Sequence, residues 1–126
     1  ALALEAIDII INEKMIENVR RLEPIFMGGL KKFEELDHIG EARGVGLMGA
    51  LEMVQDKKSK KSFDGSISIG ERVANKCIEN GLICRPLGPS IVLCPPFITS
   101  DDEMEIIFDT LDKTLKKVFS EVKSLI

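Results

Sequence analysis

Apolar residues recur every three or four positions over the first third of the chain, which is the period of an α-helix with one buried face. The segment ALALEAIDIIINEKM predicts a first helix, and the residues from Met15 to about Leu36 predict a second. Pro24, Gly28 and Gly29 weaken the second helix, because proline removes a hydrogen bond and glycine adds backbone freedom. The period continues past all three, so we expect a kinked helix and not two helices.

Residues 42–54 change to short apolar residues, glycines and a drift toward alternation, and they predict one strand. Gly44 and Gly46 in this stretch indicate either close packing or a β-bulge. The lysine-rich run QDKKSKKSF that follows indicates a solvated hairpin tip or a connecting loop. A basic binding surface is the alternative, but the run has no aromatic residues interleaved for base stacking.

Helical spacing returns in SISIGERVANKCIENG, where Gly81 is the residue expected just past a helix end. LICRP and SIVLCPP are short β-branched runs separated by the turn residues LGP, and they predict a hairpin. The segment TSDDEMEII predicts a final helix, because Thr99 or Ser100 can cap it and its acidic residues complement the helix dipole. The predicted order is helix, helix, strand, helix, strand, strand, helix.

This order predicts an α+β fold, because the strands do not alternate strictly with helices. We expect a small, mostly antiparallel sheet of three to four strands with helices packed on one face. The 126 residues, 44% hydrophobic and 30% charged, fit one globular domain over residues 1–126, with no linker and no internal repeat. The chain starts in helical period without an initiator methionine or a capping residue, so we expect a piece of a longer protein.

Charge and hydropathy narrow the possible partners. The formal net charge of -4 disfavours nucleic acid and anionic membranes, which select basic surfaces. No apolar run approaches the roughly 20 residues of a membrane-spanning helix, and no secretory signal is visible, so we expect a cytoplasmic protein. Cys77, Cys84 and Cys94 are an odd number with no CxxC pair, and we interpret all three as reduced core thiols.

Residue types that carry chemistry are scarce. His38 is the one histidine and has no metal partner at ligand spacing, so we interpret it as a structural or surface residue and predict no metal site. GVGLMG lacks the strand-to-helix placement and the downstream acidic residue of a dinucleotide-binding fingerprint. The cysteines have no histidine base to activate them. We therefore predict no catalytic residue in this chain.

Arg85 is the one charged residue inside the apolar passage GLICRPLGPSIVLCPP. An unpaired buried guanidinium is too costly, so Arg85 needs either solvent or an anionic partner. Its planar fork matches a carboxylate with two parallel hydrogen bonds, and Pro86 fixes the neighbouring backbone. Physical reasoning leaves a structural salt bridge and a ligand carboxylate both open, and it favours the salt bridge.

The segments GEARGVGLMGALEMV and GLICRPLGPSIVLCPPFITSDDEME resemble the C-terminal small domain of class III, fold type I aminotransferases, which use pyridoxal 5'-phosphate. The resemblance covers essentially the whole chain, since ALALEAIDII is similar to the helix that enters this domain from the large domain. It implies that Arg85 binds the carboxylate of an amino or keto acid and swings aside for amines without a carboxylate. It also implies amino transfer from an amine to a keto acid such as pyruvate, with the cofactor as electron sink.

The resemblance places the cofactor-binding lysine in a large domain upstream of Ala1. Lys57, Lys58, Lys60 and Lys61 belong to a solvated loop and are poor candidates for a desolvated lysine that forms an imine. We therefore expect this chain alone neither to bind the cofactor stably nor to transaminate. The resemblance also implies that the parent enzyme is a homodimer.

Three interpretations of the whole protein remain. RPLG followed by PPF is similar to omega-amino acid:pyruvate transaminases, which we favour, and to adenosylmethionine-8-amino-7-oxononanoate aminotransferases of biotin synthesis. The third interpretation is a free-standing α+β module that binds an amino acid or a partner protein, with Arg85 as its carboxylate anchor. An upstream reading frame with a cofactor lysine would favour the enzyme, and an initiator methionine just before Ala1 would favour the module.

Overall fold

Four α-helices and four β-strands make up the computed structural model, which describes all 126 residues. The elements, in chain order, are α1 (Leu2–Asn12), α2 (Met15–Lys32), β1 (Ile39–Val45), β2 (Met48–Met53), α3 (Ile69–Glu79), β3 (Arg85–Leu87), β4 (Ser90–Leu93) and α4 (Asp101–Val122). Two short 3-10 turns, Phe33–Glu35 and Gly65–Ile67, follow α2 and precede α3. This arrangement confirms the predicted α+β fold.

The four strands form one antiparallel sheet in the order β1-β2-β4-β3. In the middle of the sheet, Ala42 pairs with Leu51 and Leu51 pairs with Ile91, and none of these side chains is more than 1% exposed. Neighbouring residues along each strand point the other way, so they lie on a second face. That face is exposed or half-buried at Arg43, Ala50, Val92 and Arg85. The helices therefore cover one face of the sheet, as predicted, and we call the other the open face.

The single strand predicted for residues 42–54 is wrong, because the chain reverses direction within it. β1 and β2 form a hairpin whose turn consists of Gly46 and Leu47. Gly46 has a positive φ of 58°, which glycine adopts without steric cost, and its N–H donates to the Glu23 carboxylate at 2.7 Å. β2 alternates buried and more exposed residues, whereas β1 is buried only at Ile39 and Ala42, so the burial pattern of the merged segment does not mark the reversal. The one register shift lies between Ile39 and Glu41, not at Gly46.

Helix α2 runs without a break through Pro24, as predicted, and it buries Leu22, Phe26 and Leu30. Helix α1 differs from the sequence expectation, because its apolar residues do not reach the core. None of its residues is buried, and Leu2 is 89% exposed. Periodicity reports that a helix has an apolar face but not which surface covers it. None of the helices is both long and apolar enough to cross a membrane.

The predicted helix ends are confirmed at both α3 and α4. Gly81 follows α3 with a φ of 84°, so it takes the left-handed conformation that ends helices. Ser100 caps α4, because its hydroxyl accepts from the Glu103 N–H at 3.2 Å while the Glu103 carboxylate accepts from the Ser100 N–H at 2.8 Å. Thr99, the other candidate cap, is buried and donates to the Pro96 carbonyl at 2.7 Å. Leu111, Leu115 and Val118 of α4 are buried, whereas Ile106 is 64% exposed.

Gly44 lies in β1 opposite Gly49, close to the turn of the hairpin. A Cβ at Gly44 would overlap the Met48 carbonyl oxygen and would lie 2.9 Å from the Gly49 Cα. These backbone atoms move only if the hairpin opens, so we expect Gly44→Ala to lower the free energy of unfolding by about 1–3 kcal/mol. Urea denaturation measures the change.

Gly28→Ala is the matched control, because nothing lies within 4 Å of the position of its Cβ in α2. Alanine is the better helix former, so this variant is expected to gain about 0.5–1 kcal/mol of stability. A loss in both variants, or no loss for Gly44→Ala, would contradict the steric role of Gly44.

Four carboxylates have pKa values below the usual range, and in each case hydrogen bonds to the charged form are the main cause. The Lys31 ammonium and then the Ala42 N–H lower the pKa of Glu34, and the Ser100 N–H and hydroxyl lower the pKa of Glu103. Serine hydroxyl and backbone donors also lower the pKa values of Asp56 and Asp64.

A carboxylate with a lowered folded pKa contributes stability that is complete above its unfolded pKa and is lost as pH falls through the folded pKa. We therefore expect the urea concentration at the unfolding midpoint to be constant near neutral pH. It should decrease once the pH is lowered below about 4.5. Glu34→Gln should flatten part of this fall, because its amide does not titrate. A midpoint that rises on acidification would contradict the linkage.

Candidate functional site

Arg85 is the first residue of β3, the edge strand of the sheet, and its side chain is exposed. It pairs with Val92 of β4, and the register continues through Ala50 of β2 to Arg43 of β1. Residues that pair across antiparallel strands lie on the same face, so these four form one row across the open face. The two arginines stand at the opposite ends of that row.

The local sequence holds Arg85 in this position. Cys84, just before it, is buried, and Pro86, just after it, has no N–H but is tolerated because β3 is an edge strand. Gly88, with a φ of 58°, and Pro89 form the turn between β3 and β4. The Pro89 carbonyl accepts from the Met53 N–H at 3.0 Å, which ties this turn to β2. Register and turn together direct Arg85 to the open face, as the predicted hairpin requires.

The two arginines of the row differ in their partners. Arg43 Nη1 lies 2.7 Å from a Glu52 carboxylate oxygen and 3.1 Å from one of Glu41, and the hydrogen bond to Glu52 is the main cause of a raised Arg43 pKa. Arg85 takes part in no salt bridge of this chain, and no side-chain hydrogen bond holds it. The structural salt bridge favoured for Arg85 from the sequence is therefore not present within the chain. Its guanidinium donors are available to an anion from outside.

The lysine-rich run forms a hairpin tip, as predicted, with backbone hydrogen bonds between Asp56 and Lys61. All four of its lysines are exposed, and Lys57 donates to the carbonyl of Glu34 in the 3-10 turn that follows α2. No lysine anywhere in the chain is buried. A lysine that forms an imine with an aldehyde cofactor needs a desolvated setting that lowers its pKa, so the lysines of this chain do not fit that role.

His38 lies in the core, which agrees with a structural role. The residue is 7% exposed, and its ring packs against Phe63 and Phe119, with ring centroids 5.4 and 5.2 Å away. Nδ1 lies 3.1 Å from the Val54 carbonyl oxygen. No group of histidine, cysteine, aspartate and glutamate side chains in the chain is arranged to hold a metal ion.

The cysteines divide differently from the sequence expectation. Cys77 and Cys84 are buried as predicted, but Cys94 is exposed, so its interpretation as a core thiol is wrong. Leu93 points into the core at the end of β4, and the next residue along an extended chain points to the opposite side. The neighbouring Cys84 thiol lowers the pKa of Cys77, whereas the Cys77 thiol and burial raise the pKa of Cys84.

The ion-paired cluster of Glu41, Arg43 and Glu52 was also missed from the sequence. These residues stand on two strands that the sequence interpretation had merged into one, so their pairing across a hairpin was hidden. The signal that would reveal them is the turn glycine, Gly46, between two alternating segments.

The sequence and the fold of the chain are similar to those of known proteins. The family model described as Aminotransferase class-III matches residues 1–115. A PMP-bound aminotransferase from Vibrio fluvialis is similar to the chain with a TM-score of 0.93 and 57% identity, over 95% of this chain and 26% of that one. An omega-aminotransferase from Paracoccus denitrificans is similar with a TM-score of 0.93 and 56% identity, over 95% of this chain and 27% of that one.

A curated relative is similar as well. The adenosylmethionine-8-amino-7-oxononanoate aminotransferase of Methanocaldococcus jannaschii is 36% identical over 115 residues, which are 91% of this chain and 25% of the relative. The chain therefore spans about a quarter of the length of the relatives that it matches. The match of the family model over nearly the whole chain, together with these similarities, shows that the chain belongs to the class III aminotransferase family.

Proposed function

We propose that this chain is the C-terminal part of a pyridoxal-phosphate-dependent aminotransferase, with Arg85 as the anchor for the substrate carboxylate. The whole enzyme moves an amino group from an amine or omega-amino acid to a keto acid such as pyruvate. The observation that carries the proposal is the exposed guanidinium of Arg85 on the open face of the sheet, with no carboxylate of the chain paired to it. A substrate carboxylate can then accept hydrogen bonds from the Arg85 N–H groups without displacing a carboxylate of the chain.

The chemistry of the arginine fork supports this role. Two parallel N–H donors match the two oxygens of a carboxylate, which gives orientation as well as binding energy. The backbone at Arg85 is fixed by the pairing with Val92, while the long side chain is held by no hydrogen bond and is free to change rotamer. Such a side chain binds a carboxylate when the substrate has one and turns away when the substrate has an apolar group at that position.

This chain contributes substrate binding and not the cofactor site. Pyridoxal phosphate supplies the electron sink for amino transfer, and none of the exposed lysines described above is suited to hold it. We propose that its lysine lies in the part of the parent protein outside these 126 residues. The exposed apolar residues of α1 are consistent with a further covering surface, because Leu2, Leu4 and Ile11 are 89%, 67% and 64% exposed.

Among the subfamilies, we favour omega-amino acid:pyruvate transaminases. The solved omega-aminotransferase from Paracoccus denitrificans is 56% identical to the chain, whereas the biotin-pathway relative is 36% identical. The biotin-pathway aminotransferase is the second candidate, and it too would use a substrate carboxylate. A free-standing binding module has less support, because the chain covers only about a quarter of each relative. We further propose that the parent enzyme is a cytoplasmic homodimer without a nucleic-acid partner.

The activity is tested with the full-length protein supplied with pyridoxal phosphate, pyruvate and an omega-amino acid. We expect alanine to form together with the aldehyde product of the donor, and we expect the 126-residue chain alone to form none. Alanine production is measured by chromatography. Amino transfer from S-adenosylmethionine to 8-amino-7-oxononanoate, with none to pyruvate, would favour the biotin-pathway enzyme instead. Absence of both activities from a folded protein that has bound the cofactor would contradict the proposal.

A further inference from the structure

The geometry points to Gly70, the second residue of α3, as a positioning residue for the substrate carboxylate. Gly70 acts through the turn at Gly88, because its close approach to that turn sets the position of the strand that begins with Arg85. The inference rests on the proposed function of Arg85. It adds a residue on another element that keeps the guanidinium in place to bind a carboxylate.

Strand β3 depends on outside support for its position. It has three residues, it pairs with β4 alone, and none of its residues is buried. Arg85 is its first residue, and Gly88 follows its last residue in the turn to β4. Because only Pro86 and Leu87 separate the two, a shift of Gly88 is transmitted to the backbone of Arg85.

The start of α3 lies directly against this turn. Gly70 is buried, and a Cβ at its position would overlap the Gly88 carbonyl oxygen and would lie 3.2 Å from the Ser90 carbonyl oxygen. Both oxygens are backbone atoms, so no side-chain rotation relieves the overlap. The helix and the turn approach each other this closely because residue 70 has no side chain.

The turn, and not the helix, has to move when residue 70 gains a Cβ. Ile69 and Val73 are 2% and 0% exposed, so this end of α3 is fixed in the core. Pro86 and Gly88 are exposed and line an open groove of about 310 Å³ beside the start of α3. The turn therefore has solvent around it and is the side of the contact that gives way.

The part of the turn that moves is the part that joins β3. The Pro89 carbonyl accepts from the Met53 N–H at 3.0 Å, which holds the β4 side of the turn to β2. Gly88 lies on the other side, so relief of the overlap displaces β3. Separating overlapping atoms to ordinary contact takes a shift on the order of 1 Å. A misplacement of that size at a binding group costs up to about 100-fold in rate, and the long Arg85 side chain recovers part of it.

The test compares Gly70→Ala with the wild type in the full-length enzyme supplied with pyridoxal phosphate. Stopped-flow kinetics give the second-order rate constant for alanine and for the alkylamine, from propylamine to hexylamine, that the wild type converts fastest. We expect the constant for alanine to fall roughly 10- to 100-fold and the constant for the alkylamine to change much less. Hydrogen exchange measured by mass spectrometry should become faster in peptides that cover residues 85–90, because β3 loses its support.

Gly65→Ala is the matched control, because nothing lies within 4 Å of the position of its Cβ in the 3-10 turn before α3. It should leave both rate constants unchanged. Arg85→Ala, measured in parallel, tests the proposed function by itself. A selective loss for alanine in Arg85→Ala but not in Gly70→Ala would overturn the inference and leave the proposed function intact. No selective loss in either variant would overturn both.

Pro89→Gly keeps the test decisive if Gly70→Ala does not fold. Glycine frees the φ angle that proline fixes in the turn, and it adds no atom next to α3. We expect a selective loss for alanine in the same direction. An unchanged ratio of the two rate constants, in a variant whose circular dichroism matches that of the wild type, would overturn the inference.

Discussion

Replacing Arg85 with alanine in the full-length protein is expected to weaken the reaction with pyruvate or alanine by about 2–5 kcal/mol in kcat/KM, a loss of roughly 30-fold to several thousand-fold. The reason is that the variant removes the two N–H donors proposed to bind the substrate carboxylate. A primary amine without a carboxylate makes no such contact, so its half-reaction should change much less. Stopped-flow measurement of the two half-reactions with each substrate separates these effects.

Two further variants sharpen the comparison. Arg85→Lys keeps the positive charge but loses the fork, so it should recover only part of the discrimination between substrates. Arg20→Ala removes an exposed arginine of α2 and serves as the control for a change of net charge. Equal losses for substrates with and without a carboxylate would make Arg85 structural. Urea denaturation of every variant guards against a general loss of folded enzyme.

Replacing Phe26 with alanine is expected to lower the free energy of unfolding of the chain by about 3–5 kcal/mol, the range for deleting a fully buried aromatic ring. Phe26 is 0% exposed in the middle of α2 and packs with Leu22 and Leu30 in the main core cluster. Its ring centroid lies 6.1 Å from that of Phe108 on α4, so the deletion leaves a cavity between two helices. Urea denaturation followed by circular dichroism measures the loss.

Phe97→Ala is the matched control, because this ring is 45% exposed in the segment before α4. Deleting it exposes little new apolar surface, so the expected loss is less than about 1 kcal/mol. A loss of the same size in both variants would mean that Phe26 does not have the central position in the core that the structure assigns to it.

The candidate site was predictable from the sequence to the extent that Arg85 interrupts an apolar passage. A guanidinium among apolar residues needs either solvent or an anionic partner, and this reasoning applies to any fold. The choice between an internal salt bridge and an external carboxylate was not predictable in that way. It depends on which carboxylates fold close to Arg85, and the sheet brings Glu41 and Glu52 to Arg43 instead.

The other differences between the sequence predictions and the structure depend on how the chain folds back on itself. Cys77 is buried on α3 and Cys84 is buried after the helix end at Gly81, whereas Cys94 is exposed because alternation along β4 directs it away from the core. The merged strand over residues 42–54 failed for a related reason. Alternation has the same period in one strand and in a hairpin, so it cannot locate a reversal by itself.

The sequence by itself determined the helices, the start of α4, the end of α3, the α+β class and Arg85 as the charged residue of an apolar passage, because these follow from period, cap chemistry and charge within short segments. The tertiary structure decided which apolar faces are covered, where the sheet reverses, which cysteines are buried, and that Arg43 but not Arg85 has carboxylate partners within the chain. Those outcomes depend on residues far apart in the chain, and only the packed fold sets the distances between them.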